Sequence, residues 1–341
     1  MHKKIKLLLI VVIAIAAIFI SVLVGSVALN AFDILSIIGE RLFGIQAPHI
    51  SDVQKEIIWN IRLPRVLLAF LAGGALALGG AVVQSALKNP LASPYTMGVS
   101  AGASLAISIV IAFGLTIPAL GIFFRPLVGF SAGILAVVSV IAFTMAVDKR
   151  TTGMTIVLTG MVLSLFYNAI QTLISATNQD SIREITLWQM GSFAMRGWVF
   201  VFTLLPFFIV GVISLMFFTR ELDVMTMGDE QARSIGVNTS FVMPVVLSLS
   251  ALLVGAAVAV CGIVGFVDLV TPHIARRIFG SRHIYILPAS VIIGGTMMVL
   301  ADLAARSILA PTELPVGAVT ATVGVPFFCY IFFSGRRKTA G

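Results

Sequence analysis

Arg220–Asn238, RELDVMTMGDEQARSIGVN, is the longest charged interruption in the C-terminal two thirds of the chain, and long apolar runs flank it on both sides. Within it, Met227–Val237 reads as a short surface helix. Asp229 and Glu230 suit the positive end of the helix dipole, Arg233 follows a turn later, and Gly236 suits the left-handed position that closes a helix. A chain that keeps one ordered polar segment among its apolar runs presents it to something. The plain alternative is a solvated connector between two helices.

The flanking runs set the class. Of 341 residues, 59% are hydrophobic and only 11% charged, and the mean hydropathy is +1.10. Soluble domains carry about 25% charged residues. A membrane crossing takes about 20 apolar residues, so residues 1–341 hold roughly ten crossings in a single transmembrane domain. The net charge of +8 is spread singly over the ends of apolar runs. That distribution belongs to membrane orientation and speaks against nucleic-acid binding. Cys261 and Cys329 lie far apart inside apolar stretches and have no metal-ligand spacing.

His2-Lys3-Lys4-Ile5-Lys6 precedes an apolar run, Leu7–Leu29, that is longer than the core of a signal peptide and reads as a first span. The mixed-polar stretch 30–60 reads as an external loop. Hydropathy places nine more spans at about 63–86, 95–114, 122–147, 153–175, 197–218, 241–262, 263–279, 285–309 and 315–333. Most Lys and Arg then fall on internal connectors, which puts both termini and the 219–240 segment in the cytoplasm. The eighth span is short, because Arg276 and Arg277 cut into it.

Ala72–Gly80, AGGALALGG, matches Val254–Gly262, VGAAVAVCG, in its small-and-apolar pattern, and Pro90 and Pro272 follow at the same offset. The two spans cross in opposite directions, the pattern of a 5+5 inverted repeat. Their small residues allow close backbone approach, so both belong in the packed interior.

No phosphate-binding loop, metal-ligand cluster or nucleophile beside a plausible base occurs in the sequence, so no catalytic residue and no bound metal are expected. Uphill work would draw on an ion gradient or a partner ATPase. A stand-alone ion-coupled carrier needs ionisable groups at membrane depth, and Asp268 and Asp302 are the candidates. Asp302 can also pair with Arg306 one turn on. Arg62-Leu63-Pro64-Arg65 stands where the external loop enters the second span, and with Arg306 it offers an outward basic face. Lys88–Pro94, KNPLASP, is a proline-bracketed turn that suits a gate.

Taken in order, these blocks resemble a known family. Arg62-Leu63-Pro64-Arg65, Asn89-Pro90-Leu91-Ala92 running on to Gly98-Val99-Ser100-Ala101-Gly102, Gly228-Asp229-Glu230 with Ala232-Arg233 and Gly236-Val237, Gly265-Phe266-Val267 with Pro272-His273-Ile274, and Glu313-Leu314-Pro315 with Pro326 are similar to the FecCD-type permease subunits of ABC importers. The resemblance covers about residues 60–333. It implies an all-α integral membrane protein of ten helices with the type II importer permease architecture, in the cytoplasmic membrane of a prokaryote.

Partners follow from the same resemblance: a second permease subunit, two cytoplasmic ATPase subunits that bind ATP and magnesium, and an external binding protein. No cofactor is implied in this chain. Gly228, Asp229, Glu230, Ala232, Arg233 and Gly236 match the ATPase-coupling segment. Arg62, Arg306 and Arg65 match external arginines that dock the binding protein. Asn89, Pro90, Leu91, Thr151 and Thr152 match the cytoplasmic gate, and Asn168 and Gln171 would face the translocation path. A ferric siderophore is the favoured cargo, with cobalamin or haem as alternatives. For haem, the outer side offers only His49. Asp268 departs from the family, which usually has a small residue there.

Overall fold

The computed structural model describes residues 2–25, 30–44, 50–147 and 153–337, and among them the only regular elements are helices. Ten form the bundle: α1 His2–Leu23, α2 Leu63–Ala86, α3 Val99–Ala112, α4 Phe124–Val147, α5 Gly153–Thr177, α6 Trp198–Phe217, α7 Thr239–Cys261, α8 Val267–Phe279, α9 His283–Ser307 and α10 Val316–Arg337. Shorter helices at Ala31–Phe43, Ile182–Gln189, Thr219–Met225 and Asp229–Ser234 connect them. Seven helices are long and apolar enough to cross a membrane, while α3 and the apolar part of α10 are shorter. The chain is a multi-pass membrane protein. The first helix stops at Leu23, earlier than the hydropathy boundary, and α8 has 13 residues, as short as Arg276 and Arg277 imply.

The centre of the bundle is α2. From Pro64 to Ala86 only Leu67 and Phe70 keep partial exposure. A helix sealed on all sides must be apolar all round, and this one is, with glycine and alanine replacing bulk where neighbours come closest. A Cβ on Gly73 would stand 2.3 Å from the Gly294 carbonyl oxygen of α9. One on Gly294 would stand 2.3 Å from the Ala77 Cβ, so Gly73 and Ala77, one turn apart, form the groove that α9 enters. Further along, Gly80 lies against the Asp268 backbone of α8 and Gly79 against Val254 of α7. Both glycine-rich helices are interior, as their composition foretold: α7 is buried from Leu253 to Cys261.

A π-helical turn over Ile57–Arg62 leads into α2. Pro64 has no N–H to give, and the wider turn accommodates the lost bond while directing Arg62 toward α1.

Close backbone contact sets a sharp expectation for substitution. Gly294→Leu abolishes recovery of folded, monodisperse protein in detergent. Gly265→Ala is tolerated, since nothing stands within 4 Å of that site. Size-exclusion profiles of the two variants check this.

Candidate functional site

Three groups of residues stand out: the segment 219–237, the turn 87–94, and a polar cleft beside that turn.

In the first, Gly228 (φ 133°) separates Thr219–Met225 from Asp229–Ser234. The second helix closes as its sequence requires. Gly236 takes a positive φ of 94°, its N–H bonds the Arg233 carbonyl at 3.0 Å, and the Val237 N–H bonds that of Ala232 at 3.0 Å. Ala232 is buried and anchors the helix, whereas Glu230 is exposed; of Asp229 only the backbone is described. Arg233 donates to Thr239 Oγ1 at 3.0 Å and Ser240 Oγ at 3.3 Å, tying the segment to α7. Two large apolar side chains, Met227 (64% exposed) and Ile235 (62%), point away from the bundle on either side of it. Charge patterning drew attention to the acidic residues and passed over this apolar pair.

The turn 87–94 leaves α2 through Lys88 in a left-handed conformation, φ 52°. Asn89 organises it: its side-chain oxygen accepts the Leu91 N–H at 2.9 Å and its carbonyl accepts the Ala92 N–H at 3.0 Å. Pro90 and Leu91 project outward. Gly153 at the start of α5 packs against Leu87, where a Cβ would lie 3.1 Å from the Leu87 carbonyl oxygen. The structure therefore brings the beginning of α5 to the turn. Thr151, Thr152 and His49 lie outside the described residues.

Asp268, which had no account from sequence, is buried in α8 and accepts the Ser93 hydroxyl through Oδ2. Its backbone carbonyl accepts Gln84 Nε2 at 3.2 Å. It pins both the end of α2 and the far end of the turn.

Beside the turn, α3 and α5 enclose a cleft of about 560 Å³. Tyr95, Ser100, Ser104, Asn168, Gln171 and Gln189 give it its polar lining. Ser104 donates to Gln171 Oε1 at 3.0 Å and accepts from Gln189 Nε2 at 2.7 Å. Asn168 and Gln171 thus both face the cleft, and Gln171 also makes the interhelical bond that was the alternative for it. Gln189, from the helix Ile182–Gln189, was not anticipated. Neither Asp268 nor Asp302 lines this cleft.

At the opposite end of the bundle the arginines are not free charges, a correction to the outward basic face expected from sequence. Arg62 and Arg65 are buried. Arg62 donates to the carbonyls of Val22 and Leu23, each at 3.1 Å. Arg306 donates to that of Val24 at 2.7 Å, to that of Ser21, and to Ser21 Oγ at 3.0 Å. Two guanidinium groups therefore satisfy the carbonyls left open at the end of α1, at the negative pole of its dipole. Arg65 holds Asp302 through Nε at 3.0 Å and Nη2 at 2.9 Å, and Glu313 through Nη1 at 2.8 Å. The local Asp302–Arg306 pair is longer, 3.7 Å. Hydrogen bonding from Arg65 draws the Glu313 carboxyl below its ordinary value.

With the fold and these groups in place, comparison with known proteins identifies the chain. The description of the FecCD transport family matches residues 11–334. The chain belongs to the FecCD transport family. The uncharacterized ABC transporter permease protein YvrB of Bacillus subtilis is 40% identical to it over 92% of this chain and 89% of that protein. The hemin transport system permease protein HmuU of Yersinia pestis is 35% identical over 85% and 87%. A solved structure of a metal-chelate type ABC transporter in an inward-facing conformation superposes with a TM-score of 0.83, at 27% identity, over 97% of this chain and 99% of that one. Other relatives are named for iron(3+)-hydroxamate, Fe(3+)-citrate, molybdate and cobalamin import. This FecCD chain is an ABC importer permease subunit, and its relatives are themselves translocation subunits rather than enzymes.

The buried clamp separates from surface ion pairs in energy. Asp302→Ala leaves Arg65 short of its buried partner and costs about 3–5 kcal/mol, while Arg41→Ala, at the exposed Arg41–Glu56 pair, costs under about 1 kcal/mol. Unfolding titrations in mixed micelles measure both. Because the Glu313 carboxyl is held low, its contribution is present above the ordinary glutamate value of about 4.3 and is lost as pH falls through the depressed one. Wild type and Glu313→Gln therefore converge in stability in that acid range.

Proposed function

We propose that this permease moves a ferric siderophore inward across the cytoplasmic membrane, as one of two permease subunits driven by two ATPase subunits and fed by an external binding protein. The observation that carries the cargo class is the cleft beside the 87–94 turn. Its polar lining consists of hydroxyl and carboxamide groups, without charge and without a histidine, cysteine or methionine ligand. Such a surface lets a polar chelate pass whose iron is already fully coordinated. Its one phenol, Tyr95, is engaged by the Val264 carbonyl at 3.1 Å rather than free to ligate haem iron, and Ala101 and Ile263 give little apolar surface for the faces of haem. Selectivity then rests with the binding protein.

The rest of the proposal follows the bundle. Ten crossings with an inverted repeat and both termini inside put 219–237 and the 87–94 turn on the cytoplasmic side. Gly228, Asp229, Glu230, Ala232, Arg233 and Gly236 form the segment that seats in the ATPase, with Met227 and Ile235 as its apolar contacts. Asn89, Pro90 and Leu91, with Thr151 and Thr152, close the path. A second permease subunit covers α5, of which only Ile156 and Gly160 are buried within one chain. Arg62, Arg65 and Arg306 shape the external end on which the binding protein docks. The ion-coupled alternative finds no support in the cleft, which neither of its candidate carboxylates reaches.

An affinity pull-down from native membranes in mild detergent, scored for a co-purifying ATPase, tests the assembly. The ATPase comes down with the intact chain and is lost from Asp229→Lys, Glu230→Lys and from Met227→Asp, Ile235→Asp. Absence of an ATPase from the intact chain overturns the proposal. In cells, Asn168→Leu, Gln171→Leu lowers uptake of a radio-iron siderophore at least tenfold, and haem and cobalamin in excess do not compete. Competition by either reassigns the cargo.

A further inference from the structure

Residues from three distant parts of the chain meet in one hydrogen-bonded line, buried at His283 and Ser85 and partly exposed at Asp223. Asp223, on the helix Thr219–Met225, accepts both the His283 backbone N–H at 2.8 Å and the His283 ring through Nδ1 at 2.6 Å. The opposite ring nitrogen, Nε2, lies 2.6 Å from Ser85 Oγ. His283 is 1% exposed and Ser85 3%.

Serine, histidine and aspartate in this order resemble a nucleophilic triad, which no local pattern reveals because 60 and 198 residues separate the partners. The arrangement is not catalytic. Ser85 Oγ is enclosed: with Nδ1–H given to Asp223, its one proton goes to Nε2, while Arg276 donates to it at 3.1 Å and the Ala81 carbonyl stands 2.9 Å away. No carbonyl carbon could approach it.

The line joins two segments of the chain. Asp223 lies in the helix just before Asp229–Ser234. Ser85 lies in the last turn of α2, two residues before the 87–94 turn begins. Side-chain bonds hold that root from one other side, where Arg276 of α8 donates to Gln84 at 2.6 Å as well as to Ser85. Asp223 is also the cap of α9, whose preceding residue, Arg282, makes no side-chain cap bond.

We propose that His283 is a positioning residue that transmits displacement of the coupling segment to the root of the gate turn. The imidazole is a rigid plate with a polar atom at each edge and no water to turn to. If Thr219–Met225 shifts, either the ring follows and draws Ser85 with it, or a buried polar atom loses its partner. The second outcome leaves a desolvated polar atom unsatisfied and is penalised, so the segment and the α2 end move as one. That the movement is driven by an ATPase rests on the function proposed above; the linkage itself does not.

Hydrogen exchange on the purified full chain in lipid nanodiscs, read by mass spectrometry, tests the linkage without any partner. Asp223→Asn speeds exchange of the amides 87–92 at least threefold, together with those of 219–226. In a His283→Phe background the same Asp223→Asn change leaves 87–92 unaltered. His283→Asn, which keeps a donor toward Asp223 but cannot reach Ser85, serves as the second background and gives the same null. A brace with only local effects would show no response at 87–92, or an equal one in every background, and either result overturns the proposal. The co-purified complex then adds the driven case: ATP with vanadate changes exchange at 87–92 in wild type and leaves it unchanged in His283→Asn. An equal change in both overturns the relay. Failure to recover an ATPase counts against the proposed function and leaves the exchange cycle in the isolated chain to decide the linkage.

Discussion

Everything in this permease depends on how closely backbones can approach α2. In hydrocarbon, helices gain nothing by hiding apolar side chains from water, so association rests on contact and on satisfied polar groups. Gly73 against the Gly294 carbonyl and Gly80 against the Asp268 backbone supply that contact. Once α2 is sealed between α7, α8 and α9, its two ends become fixed points. One end carries Arg62 and Arg65, the other Ser85 and the 87–94 turn. The rigid middle is why events at the ends can be communicated rather than absorbed.

The polar groups divide along the same axis. At one end, charge is locked: Arg65 faces two carboxylates, and Asp302 is shared between two arginines. At the other end, single charged groups, Asp223, Asp268 and Arg276, are bonded to histidine, serine and glutamine side chains.

Class, span positions and the blocks of the FecCD family were legible because they are written in local patterns. A run of apolar residues, a glycine after a short polar helix, or a proline-bracketed turn each has its physical consequence within a few residues. Asn168 and Gln171, named for the path on the resemblance, do line the cleft. What escaped was pairing across the chain. Arg65 and Asp302 are 237 residues apart, and nothing local says that a lone arginine at a helix start will turn inward rather than outward. The local rule favoured Arg306 for Asp302, and it lost to a bidentate partner with better geometry. Asp268 was likewise opaque, since its reason is Ser93, held at the far end of a turn whose shape composition does not encode.

The arginine cap on α1 bears on how the chain is made. The carbonyls at the end of α1 are satisfied by Arg62, which is synthesised soon after, and by Arg306, which follows 282 residues after the Val24 carbonyl it caps. Until then half of that helix end has no protein partner, and Arg65 waits for Asp302 and Glu313 in the same way. The helix α1 is therefore fully capped only once α9 has been made.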